Sequence, residues 1–177
     1  VSAGRADLCL HKFQPQPGDC IFIPAGTVHA LGEGLLVAEI QQASDTTFRL
    51  FDWNRVGADG KPRPLHISES LAVIDYQRGP VGPQAVREIE ASQQQTIERL
   101  VECDKFILDR RKVSGETTIG GDQRFHIISV IAGEATLADD PAKRPLALGQ
   151  TALIPASVTA ILRPGNDGTV LIDAYLP

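Results

Sequence analysis

Short apolar runs separated by turn-forming residues recur along the whole chain. In the N-terminal part they predict strands over 8–13, 20–23, 35–41 and 47–52. Farther on they predict strands over 96–101, 105–113, 125–132, 135–138, 151–154, 159–163 and 169–175. Many short strands at regular turn spacing are typical of a β sandwich or a β barrel. We therefore predict a mainly β protein.

One segment carries a helical pattern. Residues 66–75 predict a short helix, with Ser68 as its N-cap because a serine side chain can accept from the first free backbone N–H groups. The following residues 77–95 contain two Gly-Pro pairs and then a polar run, which is typical of a connection. We therefore expect three parts, namely 1–76, a linker over 77–95, and 96–177.

The segment 17–29, PGDCIFIPAGTVH, combines two turns with a short apolar run. Pro-Gly and Pro-Ala-Gly form turns because proline fixes φ and glycine accepts positive φ. His29 follows the second turn, where a rigid β scaffold can direct an imidazole toward a barrel interior. The spacing resembles the second sequence motif of the cupin barrels, and that resemblance implies jelly-roll barrels with a metal ligand at His29.

The same spacing occurs a second time. Residues 149–157 repeat 18–26 position by position, and Ala160 stands where the first copy has His29. We therefore predict two cupin-like units, with metal chemistry only in the first. Few residues precede the first copy, and the sequence contains no methionine. We expect the first barrel to be partial and the chain to be a C-terminal part, with 96–177 as a complete unit.

Composition narrows the possible partners. The 177 residues are 42% hydrophobic and carry a net charge of −5 without a basic run, which argues against nucleic acid and membrane surfaces. No apolar window approaches the roughly 18 residues that span a bilayer. Three cysteines without metal-type spacing are expected to be reduced, buried thiols of a cytoplasmic protein. The oligomeric state stays open.

A longer signature follows His29. The run 35–55, LLVAEIQQASDTTFRLFDWNR, resembles a signature of the type I mannose-6-phosphate isomerases. The preceding GTVHALG at 26–32 is similar to that family's motif around its last metal-binding histidine, and GKPRPLH at 60–66 continues the likeness. The close match covers roughly 17–70, and the remainder is consistent with the family's second, metal-free cupin unit.

The resemblance implies an enzyme that interconverts mannose 6-phosphate and fructose 6-phosphate with a bound Zn²⁺. The family holds its metal with a glutamine, two histidines and a glutamate, of which only His29 has a counterpart here, so we expect this chain to be inactive alone. Arg49 matches an active-site arginine, and we assign it charge stabilisation and substrate orientation. Asp45 would orient Arg49 or relay a proton, and Glu39 would support His29 or Arg49 through hydrogen bonds.

Other interpretations stay open. The chain could belong to a non-catalytic bicupin that binds a sugar phosphate, or to a cupin oxygenase or epimerase, because one fold hosts many reactions. Arg49 could simply face solvent or pair with Asp52. His66 and Glu69 are interpreted as helix-start residues, and His126 as a core or edge histidine. We interpret 110–112 as a solvated strand end.

Overall fold

The computed structural model describes residues 6–44, 46–138, 140–141 and 144–177. Within it the chain divides into two compact units, of which the first ends at Pro83 and the second comprises Gln84–Pro177. None of the helices in these ranges is both long and apolar enough to cross a bilayer.

The second unit is an antiparallel β structure. Its strands are β1 (Arg87–Ala91), β2 (Gln95–Glu102), β3 (Ile107–Val113), β4 (Thr117–Gly120), β5 (His126–Leu137), β6 (Thr151–Ile154) and β7 (Thr159–Tyr175). They pair in the order β1-β2-β3-β7-β5-β6, and β4 pairs with the first part of β7. The mainly β class predicted from the sequence is therefore confirmed.

Alternation of side chains explains where the core of this unit lies. Along β3 every second residue is buried, because successive side chains of a strand point to opposite faces of the sheet. The same alternation along β5 and β7 brings apolar side chains together in one cluster. Its buried members are Val113, Ile119, Ile128, Val130, Ala135, Ile154, Ala160, Leu162 and Leu171.

The first unit has little regular structure. It contains a 3₁₀ helix (Ala6–Cys9), the helix α1 (Ile67–Val73) and two isolated β bridges, Ile21 with Pro83 and Val56 with Pro62. The four strands predicted over 8–13, 20–23, 35–41 and 47–52 were wrong for the residues that the structure describes. A strand persists only where its backbone groups pair with a neighbouring strand, and these segments find none there. Leu36 is accordingly 97% exposed.

The turns of the repeated motif are confirmed in both units. In the first unit Asp19 N–H donates to Gln16 O (3.0 Å), and Thr27 N–H donates to Pro24 O (3.2 Å). The matching bonds of the second unit join Gln150 to Ala147 at 2.9 Å and Val158 to Pro155 at 2.9 Å. Between these turns β6 is a full strand because β5 pairs with it, whereas the first copy has only the bridge at Ile21.

Three further expectations differ from the structure. The helix begins at Ile67 with His66 as its N-cap, so Ser68 lies inside the first turn and its hydroxyl donates to Glu69. Strand β1 lies inside 77–95, the segment expected as a linker, and it pairs with β2. The thiols are less buried than predicted, because Cys9 is exposed and Cys20 and Cys103 are half-buried.

Candidate active site

Arg49 lies at one end of an irregular loop, 49–66, whose two ends are hydrogen bonded to each other. The backbone N–H of Arg49 donates to His66 Nδ1 (3.1 Å), and the backbone N–H of His66 donates to Arg49 O (2.8 Å). The guanidinium of Arg49 donates from Nη1 to Pro64 O at 3.1 Å. The segment Pro64–His66 thus holds both the backbone and the side chain of Arg49.

The chain reverses direction at 57–61, where Gly57 N–H donates to Lys61 O at 2.8 Å. The bridge between Val56 and Pro62 pairs the two arms next to this reversal. A local turn interrupts the first arm, where Trp53 and Asn54 have φ values of 49° and 55°. The reversal at 57–61 brings two parts of the sequence signature, 35–55 and 60–66, into contact.

A buried carboxylate lies beside Arg49. The Asp52 side chain is only 9% exposed, and the guanidinium of Arg63 binds both of its oxygens, with Nε 2.7 Å from Oδ2. The hydrogen-bonded Arg63 guanidinium holds the pKa of Asp52 below its ordinary value although burial opposes this, and Asp52 in turn raises the pKa of Arg63. Both groups are therefore charged near neutral pH and largely neutralise each other.

The guanidinium of Arg49 makes a weaker contact with Asp52 than the guanidinium of Arg63 does. Its Nε lies 3.9 Å from Asp52 Oδ1, which is an ion pair without a hydrogen bond, and its side chain is 26% exposed. Among the described residues its one side-chain hydrogen bond is the bond to Pro64 O. A guanidinium has five N–H donors, so Arg49 can still bind an anionic oxygen. The expected alternative, a pair with Asp52, is present only as this longer contact.

Among the described residues, neither His29 nor Glu39 makes a hydrogen bond or an ion pair with Arg49. The His29 side chain is exposed, and its Nδ1 lies 2.9 Å from Thr27 O. Glu39 is exposed. Asp45 lies outside the described residues. The role of each of these three residues therefore remains a prediction.

The described residues do not by themselves form a site for the zinc ion that the resemblance implies. Zn²⁺ in proteins takes three or four nitrogen, sulfur or carboxylate ligands. No group of three such side chains occurs within 6–44, 46–138, 140–141 and 144–177. His29 could therefore supply only one ligand of a site whose other ligands lie elsewhere.

The sequence pattern indicates neither the contact of His66 with Arg49 nor that of Arg63 with Asp52. Both His66 and Arg63 lie in the segment 60–66 that carries part of the family resemblance, which is the available signal. Their contacts depend on the chain reversal at 57–61.

A second cluster of charged residues is buried inside the β unit. Arg99 Nε lies 2.6 Å from Asp109 Oδ1, and the Tyr175 hydroxyl donates to Asp109 Oδ2 at 2.6 Å. Burial and the adjacent Asp109 carboxylate raise the pKa of Tyr175 to about 12. Arg111, expected at a solvated strand end, is instead buried, with its Nε 2.9 Å from Asp173 Oδ2. That expectation was wrong for Arg111 because β3 directs it inward.

His126 is part of the same cluster and is 3% exposed, which confirms a core histidine. Its Nδ1 lies 2.9 Å from Asp173 Oδ1, its Nε2 lies 3.2 Å from Asp122 Oδ1, and its ring packs against that of Tyr175 in a tilted arrangement with centroids 4.6 Å apart. Each buried charge of the described cluster has a partner of opposite sign, so removal of one partner would leave an uncompensated charge in the interior.

The comparisons with known proteins agree with this architecture. Residues 96–166 match the family model described as the mannose-6-phosphate isomerase, cupin domain. Most of the second unit is thus a cupin domain.

Two curated relatives extend the match to most of the chain. Mannose-6-phosphate isomerase ManA of Bacillus subtilis is 35% identical over 88% of this chain and 49% of its own length. The mannose-6-phosphate isomerase of Streptococcus mutans is 28% identical over 89% of this chain and 49% of its own length. The solved mannose 6-phosphate isomerase of Bacillus subtilis superposes with a TM-score of 0.63 at 25% identity, over 76% of this chain and 41% of that one.

Residues 96–166 match the mannose-6-phosphate isomerase cupin domain, and the chain is similar to curated mannose-6-phosphate isomerases over most of its length. It spans about half the length of the curated relatives that it matches.

Proposed function

We propose that this chain is part of an enzyme that interconverts mannose 6-phosphate and fructose 6-phosphate. The similarity to curated mannose-6-phosphate isomerases supports an isomerase. The observation that carries the proposal is the Arg49 guanidinium, which makes one side-chain hydrogen bond among the described residues, to Pro64 O. The family signature supplies Arg49, and the loop 49–66 holds it in a fixed position.

The proposed chemistry explains why an arginine is needed. Isomerisation moves a proton between C2 and C1 through an enediol whose oxygens become anionic. A preorganised donor at such an oxygen is commonly worth ~3–4 kcal/mol in the transition state. Arg49 cannot readily give up its proton, so it would stabilise charge and orient the sugar while another group moves the proton. Asp45 is our candidate for that proton relay.

The remaining parts of the proposal concern the metal and the architecture. We propose that His29 contributes one ligand to a divalent ion, with zinc as the expected metal, and that Glu39 supports the site. The first unit would be part of the metal-binding barrel, a proposal supported by its two motif turns, which match those of the cupin domain. The substrate partner would be a sugar phosphate in the cytoplasm, and we expect the present chain to be inactive alone.

The test compares arginine variants of the natural protein that contains this sequence. We expect Arg49→Gln to lower kcat by about 10²–10³-fold, because one preorganised donor to the developing charge is lost. Arg49→Lys should lie between that variant and the wild type, since the charge remains but the fork of donors does not. The measurement is a coupled assay that follows fructose 6-phosphate formed from mannose 6-phosphate.

Arg163→Gln is the matched control. Arg163 pairs with Glu116 on the surface at 54% exposure, so its loss should leave kcat unchanged. Equal activity of Arg49→Gln and the wild type would overturn the role of Arg49. Equal losses in both variants would show a general effect of removing a guanidinium.

A further inference from the structure

The side chain of His66 does not bind its own helix, although His66 is the N-cap residue. His66 is the N-cap of α1, and its carbonyl accepts the first helical bond from Ser70 N–H (2.8 Å). N-cap side chains normally accept from the exposed N–H groups of their own helix. The His66 side chain makes no such bond. Its Nδ1 instead accepts from Arg49 N–H, 17 positions earlier in the chain.

This contact determines which ring nitrogen of His66 carries the proton. A backbone N–H can only donate, so Nδ1 must be unprotonated and the neutral ring must carry its hydrogen on Nε2. The imidazole is half-buried beside the Phe48 ring, with centroids 6.2 Å apart, which limits its rotation. An imidazole protonated on Nδ1 would direct a second N–H against that of Arg49 and break the contact.

We infer that His66 is a positioning residue for Arg49, acting through the neutral imidazole with its hydrogen on Nε2. The inference rests on the proposed function of Arg49. Three bonds reach Arg49 from one short segment: two join its backbone to His66, and one joins its guanidinium to Pro64 O. Loss of the imidazole acceptor leaves the Arg49 N–H without its partner and allows the arginine to shift relative to the substrate. Misplacement of a catalytic group by a fraction of an ångström is costly for rate.

The position of the hydrogen on the His66 ring can be measured directly, without an activity assay. Nitrogen-15 NMR of the imidazole side chains in the natural protein that contains this sequence reports which nitrogen of the neutral ring carries hydrogen. We expect an unprotonated Nδ1 and a protonated Nε2 at His66. Hydrogen on Nδ1 would overturn the inference whatever the enzyme does.

The kinetic test uses three variants in the natural protein. In His66→Asn the amide oxygen can occupy the position of Nδ1 and keep the acceptor. His66→Gln places its amide one bond farther, near Nε2, and His66→Phe keeps the ring shape without any acceptor. We expect His66→Asn to retain kcat within about threefold, whereas His66→Gln and His66→Phe lose about tenfold, the value of one hydrogen bond.

The outcomes separate this inference from the proposed function. Equal kcat in the wild type and His66→Phe would overturn the positioning role, and so would an equal loss in all three variants. An inactive wild type would contradict the proposed function and leave the NMR measurement to decide the contact. If His66→Phe fails to fold, as judged by circular dichroism, the comparison of His66→Asn with His66→Gln decides.

Discussion

His126 lies between two carboxylates, and its charge therefore links the stability of the β unit to pH. Burial by itself lowers the pKa of this imidazole, but the hydrogen bonds and negative charges of Asp173 and Asp122 outweigh burial and raise it. Asp122 shows the opposite shift. Burial raises its pKa, whereas bonds from the Arg124 backbone, His126 and the Arg124 side chain lower it to about 2.

We expect the free energy of unfolding to decrease as the pH rises from about 6.5, the value for unfolded histidine, through the raised pKa of folded His126. The sign follows because the folded state binds this proton more tightly than the unfolded state. The Asp122 contribution is complete above about pH 4 and is lost toward pH 2. Titration of Tyr175 changes the free energy of unfolding only near pH 10 and above, outside the pH range of this experiment. Urea denaturation between pH 6 and 9 measures the effect.

Asp122→Asn should reduce that pH dependence, because one of the two carboxylates that face His126 is removed. Asp104→Asn is its control, since Asp104 is 81% exposed and pairs with Lys105 away from the histidine. Stability that rises with pH in this range, or identical slopes in the wild type and Asp122→Asn, would contradict the assignment.

Sequence reasoning reached Arg49 through the family signature but could not find its neighbours. His66 contacts Arg49 across 17 positions, and Arg63 binds Asp52 across 11. Both contacts require the chain to reverse direction at 57–61. The two arms of this loop form no regular strands, so the sequence pattern does not indicate which of their residues meet.

At the scale of elements, the strands that were predicted well all have a partner strand. Residues 151–154 form β6 with the predicted bounds, and 96–101 lies within β2. Both have partner strands and clear turns at their ends. The strands predicted in the first unit have similar local sequences but no described partner. Local pattern therefore predicts the tendency to form a strand, whereas pairing decides the outcome.

Two strands were missed. Strand β1 is exposed along its whole length because it forms the edge of the sheet, and three of its five residues are charged, so it lacks an apolar run. Strand β4 contains one large apolar residue, Ile119, and therefore also lacks an apolar run. The two predictions at 159–163 and 169–175 merged into β7, since β5 pairs with β7 on both sides of an irregularity at 165–168.

The turn after β4 allows a test of close backbone packing. Gly120 has φ +84°, and a Cβ there would lie 2.5 Å from Val158 O. We expect Gly120→Ala to destabilise the protein by about 2 kcal/mol more than Gly149→Ala, because the backbone of a paired strand must move. Gly149 has φ +82° with nothing within 4 Å of a Cβ, so it reports the backbone strain alone. Equal losses in urea denaturation would contradict the contact.

At the scale of the whole molecule, the two units differ in how they are stabilised. All seven strands and the apolar cluster lie within Gln84–Pro177, as does the buried charge network. The described part of the first unit has one short helix, one 3₁₀ helix and many exposed apolar side chains, including Leu31, Leu36 and Val56. We therefore expect most of the free energy of unfolding to come from the second unit.

We expect a protein of residues 84–177 to fold by itself, with a cooperative urea transition and dispersed amide signals in NMR. A core closed within those residues provides the physical reason, because burial of apolar surface is the main favourable term in folding. The matched comparison is residues 1–83, for which we expect no cooperative transition. A non-cooperative transition in 84–177 would contradict this division.

The similarity to mannose-6-phosphate isomerases and the position of Arg49 both lead us to expect one activity, the interconversion of mannose 6-phosphate and fructose 6-phosphate. The most direct measurement incubates the natural protein that contains this sequence with fructose 6-phosphate and follows the products by proton NMR. Our account predicts the appearance of mannose 6-phosphate until equilibrium is reached. Fructose 6-phosphate that remains unchanged, with folded protein and added divalent zinc, would contradict it.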